Sequence, residues 1–415
     1  MSPRATTAAD DLHERIEQLA EINSGREGGG ITREVYTSDY ERASEYVAEL
    51  MRDAELEVRL DSAGNLFGRW AGTAPDLPRV LTGSHFDTTL NAGRFDGVVG
   101  VLGAIEAVRE LRRAGLQPRR TIEVVGFAGE EPRFGAGCIG SRAMVGAITR
   151  EQLDQMRDRD GVSVAEAMRG CGLDPDRIGE ALLDGETVHA LVELHIEQGV
   201  VLESTGAQIG VVERIAAPHD LRVTLRGSAM HAGATPMRLR RDALAGAGEV
   251  VLELERLALA SRSGSTVGTV GVLRVSPCAV NVIPGLVEMD VDIRDSDLAA
   301  RDAVVDALLA KLEETASRRG LALTISTLTR DDPAACSPIV IDAVRSTCEE
   351  LAVRYLEMTS GAYHDAMVLS AKVPIGMIFV PSVDGLSHHP DEYTHRQDID
   401  RGVKVLAGAL ARLAN

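Results

Sequence analysis

The sequence predicts an α/β protein with a mixed, mostly parallel sheet, interrupted by a smaller α+β domain. Three observations carry this. Short apolar runs at Val80–Ser84, Thr121–Ala128, Leu191–Leu194 and Ile375–Val380 read as strands, with helical stretches among them. From about Arg214 the pattern changes to alternation of apolar and polar residues, the mark of half-exposed antiparallel strands. At 415 residues the chain is longer than one hydrophobic core usually organises, so two domains are expected.

The elements follow in order. Ser38–Ala54 reads as a helix, because Ser38 and Glu41 have capping-box spacing and Tyr40, Ala43, Tyr46, Val47 and Leu50 recur at helical intervals. The Val80–Ser84 strand ends at His85, and Gly97–Arg113 reads as a buried helix closed by Gly115. Thr121–Ala128 stops just before Glu130, Leu191–Leu194 stops at His195, and the loop after Ile375–Val380 leads to His388. In the insert, Asp220–Arg226 and Val287–Arg294 alternate, and helices are expected over Leu239–Ala258 and Asp297–Arg318. The expected division is 1–213 with 331–415 for the larger domain and 214–330 for the insert.

Composition bounds the function. The chain is 44% hydrophobic and 26% charged, as globular proteins are, but only 3% aromatic, so its core must rest on Val, Leu, Ile and Ala. A formal net charge of -19 favours solubility and argues against nucleic acid or an anionic membrane as partner. Cys138, Cys171, Cys278, Cys336 and Cys348 are scattered and lack CxxC spacing, which fits a reducing compartment, the cytoplasm. Met1–Asp11 lacks the apolar stretch of a secretory leader, and no run of about 20 apolar residues is present to span a membrane.

Chemistry collects at the strand ends. His85 lies in Gly83-Ser-His-Phe-Asp-Thr88, where open α/β sheets place ligands, and Asp87 is spaced to hold its ring in one tautomer. Asp96, in Gly93-Arg-Phe-Asp-Gly97, heads a helix and can bridge two ions; alternatively it only caps that helix and His85 is a satisfied loop histidine. Glu130 and Glu131 repel each other unless a cation or a raised pKa relieves them, so one can bind metal while the other moves protons. His195 in Glu193-Leu-His-Ile-Glu-Gln-Gly199 and His388 in Ser387-His-His-Pro-Asp-Glu392 complete the set. Imidazole and carboxylate ligands without thiolate suit Zn, Mn, Co or Ni, and two such ions about 3.5–4 Å apart activate water and polarise a carbonyl.

These stretches resemble the hydantoinase/carbamoylase branch of the dinuclear metallo-amidohydrolases, related to aminoacylase and carboxypeptidase G. GSHFDTTLNAGRFDGVVGVL, FAGEEPRF, ELHIEQGVVLE, MHAGATPM, NVIPG and GLSHHPDE carry the likeness, from about residue 10 to the end. The resemblance implies two divalent ions per subunit, with Asp96 bridging, His85 and His195 completing one site, and Glu131 and His388 the other. It implies Glu130 as general base, His231 as oxyanion donor, and Asn281 and Arg294 as grips on a substrate carboxylate that reach into a partner's site. Gln198 would line the pocket, as would Gly361 and Tyr363. The insert would act as a dimerisation and lid domain in a homodimer. Gly361-Ala-Tyr-His-Asp-Ala366 departs from the family's usual Gly-Ala-Gly-His-Asp-Ala; Glu131-Pro-Arg-Phe134 and Ala217-Pro-His-Asp220 also depart. These changes bear on the substrate rather than on the chemistry.

The expected reaction is hydrolysis of a linear amide or ureido C–N bond in an N-carbamoyl or N-acyl L-amino acid. Allantoate or another ureido acid ranks second, and an unusual N-acyl amino acid or dipeptide third. A non-catalytic binding protein on the same scaffold would require a missing ligand or base, and none is missing.

Overall fold

The computed structural model describes residues 8–25 and 29–415; the leaderless reading of Met1–Asp11 falls largely outside them. The chain divides into two compact units. The first comprises residues up to Glu213 with Ala335–Met358 and His364–Asn415; the second comprises Arg214–Ala334 with Thr359–Tyr363.

The first unit is organised by a nine-stranded sheet. Its strands are β1 (Glu57–Leu60), β2 (Leu66–Trp70), β3 (Arg79–His85), β4 (Ile122–Phe127), β5 (Val188–Ile196) and β6 (Ile209–Ile215). After the second unit's β7 (Ala217–Arg226), β8 (Val267–Ser276), β9 (Leu286–Asp295) and β10 (Ala322–Arg330), the sheet gains β11 (Ala334–Ala335), β12 (Tyr355–Ser360) and β13 (Ile375–Val380). The order is β1-β2-β4-β3-β5-β13-β6-β11, with β12 also on β6. The central four strands, β4, β3, β5 and β13, run parallel. Antiparallel pairs flank them, β2 on β4 and β6 on β13. Every residue of β4 and β13 is buried, as a parallel sheet covered on both faces requires.

Parallel strands put all their carboxyl ends on one edge. His85 pairs in register with Phe127, and His195 with Phe379, so the carboxyl-terminal ends of these four strands share one edge of the sheet. The helix Val98–Arg113 packs tightly there. Gly100 allows it, because a Cβ at that position would lie 2.3 Å from the Leu194 carbonyl oxygen.

The second unit is a four-stranded antiparallel sheet in the order β10-β7-β9-β8. Along β9, Val287, Met289, Val291 and Ile293 are buried, and the residues between them are half-exposed up to Arg294, as the alternation predicts. The helices Ala243–Leu259 and Leu298–Arg319 close this core with Ala247, Val250, Leu254, Val304, Leu308 and Leu312.

Local details differ from expectation. The first long helix runs Ser38–Asp53, and its cap is Thr37, whose hydroxyl accepts from the Tyr40 amide, rather than Ser38. The helix after Asp96 starts at Val98 and is capped by Gly97 without a side-chain bond, so Asp96 is not the cap.

Candidate metal and catalytic centre

The six residues expected at strand ends converge in the first unit, with Asp96 at the centre. His195 Nε2 lies 3.1 Å and His85 Nε2 3.5 Å from Asp96 Oδ1. His388 Nε2 lies 3.2 Å from Asp96 Oδ2 and 3.3 Å from Glu131 Oε1. His85, Asp96 and His195 therefore form one group with metal-ligand spacing, and Asp96, Glu131 and His388 a second; each has its ligand atoms within 4.8 Å of one another. Glu130 belongs to neither and approaches His85 Nε2 at 3.8 Å.

The surroundings fix these side chains for binding a cation. His85 Nδ1 faces the Asp87 carbonyl at 3.1 Å, and His195 Nδ1 faces the Ile196 carbonyl at 2.8 Å. A ring nitrogen facing a carbonyl must carry the proton, which leaves each Nε2 lone pair aimed at Asp96. His85 Nε2 is buried without a hydrogen-bond partner among the described residues, as suits a nitrogen whose lone pair is kept for a metal ion. The donor set therefore fits divalent ions.

Charge supports the same conclusion. Burial and the nearby Asp96 push Glu131 up to about 7. Burial, reinforced by Glu131, Asp365 and Asp96, holds Glu130 well above the usual carboxylate range. Burial would also raise Asp96, but the three imidazoles of His195, His388 and His85 crowded around its oxygens outweigh it and hold it well below. The hydrogen bond to Asp96 lifts His388 to about 9. Crowded buried carboxylates of this kind are relieved by cations.

Asp87 acts differently from the sequence expectation. Its backbone carbonyl takes the hydrogen bond of the His85 ring at 3.1 Å, while its carboxylate oxygen Oδ1 stands 3.7 Å from the same Nδ1. The carboxylate instead accepts from the amides of Glu130 at 3.3 Å and Glu131 at 3.0 Å, and so aims both glutamates. Two further carboxylates carry roles that spacing did not reveal. Glu392 accepts from the Phe95 and Asp96 amides at 2.8 and 3.1 Å and pins the Asp96 loop; its place in the GLSHHPDE stretch was the available signal. Glu193 accepts from Ser84 Oγ at 2.6 Å and the Ala366 amide at 3.1 Å. Glu193, His195 and His364 also have ligand spacing, but both Glu193 oxygens are engaged and His195 Nε2 faces Asp96, so this group is the backing of the first site. Gln198 adjoins the centre, donating from Nε2 to Asp96 Oδ2 at 2.7 Å.

Gly97 shows how tight the centre is. Its φ is +64°, and a Cβ there would sit 2.4 Å from His85 Nε2. Gly97→Ala is expected to displace His85, lower bound metal measured by plasma mass spectrometry, and cut kcat by about 100-fold. A variant with wild-type metal content and rate would show that the ring is free to move.

The remaining expected residues lie in the second unit. His231 is exposed, forms an isolated bridge with Val282, and accepts at Nδ1 from the Gly233 and Ala234 amides, both at 3.1 Å. Its Nε2 therefore carries the proton. Asn281 is beside it, its carbonyl accepting from the Ala232 amide at 2.9 Å. Arg294 stands near the other end of β9, with Nη1 3.5 Å from the Gly361 carbonyl. Tyr363 is half-buried. The expectation that Asn281 and Arg294 jointly grip one carboxylate meets a geometric obstacle. Asn281 lies beyond the Leu286 end of β9, and from there to Arg294 a strand rises about 25 Å, farther than one small carboxylate reaches.

The profile of Peptidase family M20/M25/M40 matches residues 77–412. The chain is 45% identical over 404 residues to an N-carbamoyl-L-amino acid amidohydrolase of Geobacillus stearothermophilus, covering 97% of this chain and 98% of that one. It is 41% identical over 411 residues to a ureidoglycolate hydrolase of Oryza sativa subsp. japonica, covering 98% and 85%. Among solved structures it resembles an amidase of the hydantoinase/carbamoylase family from Burkholderia multivorans, with TM-score 0.88, 35% identity and 99% of each chain covered. By profile, by identity over nearly its whole length and by fold, the chain belongs to Peptidase family M20/M25/M40 and is one of its amidohydrolases, acting on C–N bonds.

Proposed function

We propose that this protein cleaves the linear ureido or amide C–N bond of an N-carbamoyl (or N-acyl) L-amino acid, using two divalent ions and Glu130 as base. The observation that carries the reading is one carboxylate, Asp96, shared between two ligand groups, beside a glutamate that belongs to neither. His85, Asp96 and His195 would hold one ion, and Asp96, Glu131 and His388 the other, drawn from Zn, Mn, Co or Ni. When bound, such a pair lowers the pKa of a water and polarises the scissile carbonyl.

The chain's own groups do the rest. Glu130 takes the proton of the attacking water as its oxygen bonds to the carbonyl carbon. It then delivers that proton to the nitrogen as the C–N bond breaks. His231, with its proton on the exposed Nε2, donates to the oxygen that becomes negative. Arg294 receives the substrate carboxylate. Asn281, Gln198, Gly361 and Tyr363 shape the pocket, and Tyr363 narrows it where the family has glycine.

The separation of Asn281 and His231 from Arg294 along β9 supports a homodimer in which each site draws on both chains. Strand β8 is an edge of its sheet and exposes Val267 and Leu273, and the helix Ala243–Leu259 exposes Leu252 and Leu259; a second copy covers such surfaces. Light scattering is expected to give twice the chain mass of 44.3 kDa. A cytoplasmic location is supported by the five cysteines, all free. No described helix is long and apolar enough to cross a membrane. Cell fractionation checks the location.

A ureido acid such as allantoate or ureidoglycolate is the second reading, favoured by the Oryza sativa relative. A release assay over N-carbamoyl, ureido, N-acyl and dipeptide substrates decides, scoring ammonia and amine separately. Ammonia with free L-amino acid is expected. Amine without ammonia would assign the enzyme to amides.

A further inference from the structure

Among the arginines on the exposed face of the second unit's sheet, Arg222 and Arg294 stand in different electrostatic company. Arg222 is matched one-to-one with Asp290, at 2.7 and 2.9 Å. Arg294 is not. Asp292, two residues before it on the same face, accepts from its Nε with both carboxylate oxygens at 2.9 Å and lies 2.7 Å from Nη2. Asp220 is the cross-strand register partner of Asp292, which places a second carboxylate on that face. Burial and the charge of Asp292 push Asp220 up to about 6, with Arg294 pulling the other way and Asp331 adding to the rise. Thr329 of β10 supplies its hydrogen bond. The guanidinium is thus bonded to one resident carboxylate, Asp292, and feels the charge of a second, Asp220, before any substrate arrives.

We propose that Asp292, reinforced by Asp220, sets how tightly Arg294 holds a substrate carboxylate. This rests on the reading of Arg294 as the carboxylate clamp. Asp292 acts through Arg294 and is a positioning residue. It occupies the Nε/Nη2 edge, so a substrate carboxylate is received end-on, at Nη1, beside the Gly361 carbonyl. It also neutralises the arginine, so an arriving anion meets little net positive charge. Orientation favours binding and neutralisation opposes it. Repulsion between like charges a few ångströms apart at a half-exposed site exceeds the gain from fixing one side chain, so charge wins.

Asp292→Asn separates the two effects, because the amide oxygen still accepts from Arg294 Nε while the charge is gone. The probes are N-carbamoyl-L-alanine and its carboxamide, N-carbamoyl-L-alaninamide, with the metal-loaded enzyme. Asp292→Asn is expected to lower KM for the carboxylate about fivefold, leave kcat unchanged and leave KM for the carboxamide unchanged. Asp220→Asn is expected to act in the same direction and less. The ratio of the two KM values is independent of how much variant is folded. Arg294→Ala is the reference and raises KM for the carboxylate alone. If Arg294→Ala leaves that KM unchanged, the clamp reading fails and takes this proposal with it. If Arg294→Ala raises it while Asp292→Asn raises it or leaves it unchanged, the clamp stands and the proposal is overturned.

Discussion

Glu130→Gln is expected to reduce kcat by about 10³-fold while both metal-ligand groups stay intact. The substitution keeps the size of the side chain and removes its ability to accept and return a proton. Glu130 is outside both ligand groups, and its Oε2 lies 3.8 Å from His85 Nε2. Its backbone is held by the Asp87 carboxylate, a contact the variant keeps. Metal content measured by plasma mass spectrometry should therefore equal that of the wild type, and KM should change little. Loss of metal together with rate would make Glu130 a ligand. A variant within tenfold of wild type would remove it from the proton path. Chelation and dialysis provide the complementary arm: activity should vanish and return on adding Zn, Mn, Co or Ni, and full activity without metal would sink the dinuclear reading.

Restoration of activity by mixing two crippled variants is the second large effect. His231→Ala alone is expected to lose about 10²–10³-fold in kcat through the missing oxyanion donor. Arg294→Ala alone raises KM for carboxylate substrates by roughly 30-fold or more, the scale of losing a charged partner. If the two residues reach one substrate from different chains, a heterodimer of these variants contains one site with both intact and one site with neither. Co-expression with two affinity tags and tandem purification should then recover about half the wild-type activity. If both residues came from the same chain, every site of the heterodimer would lack one, and nothing would be recovered. The geometry argues for the first outcome, because β9 separates the His231–Asn281 corner from Arg294 by most of its ten residues.

Much of the centre was legible before any fold was known. The strands that carry it are fully buried runs of Val, Ile, Leu and Phe, the strongest signal a short strand can give, and each is followed by a histidine or carboxylate. Other elements were not singled out. Strands β8 and β10 are edges of their sheet with most residues exposed, so no apolar stripe marks them. The Thr37 cap and the adjacent Ser38 offer similar hydroxyls, and only backbone geometry decides between them. Spacing ties Asp87 to the His85 ring, but its second task, accepting from the amides of Glu130 and Glu131 in the loop after β4, depends on a neighbouring strand end.

The sequence by itself determined the chemical types present and their local setting: imidazoles and carboxylates at the ends of apolar strands, and an alternating insert. Those properties depend on neighbours a few residues away, where side-chain periodicity is set by the backbone. Only the tertiary structure decided that Asp96 is shared, that backbone carbonyls leave two Nε2 lone pairs facing it, and that Glu392 grips its amide from 296 residues away. It also decided that Arg294 carries Asp292 before any substrate arrives and stands a strand's length from Asn281. These are matters of which strands become neighbours and which atoms share a proton or an oxygen. Long-range packing settles them, and spacing along the chain does not encode it.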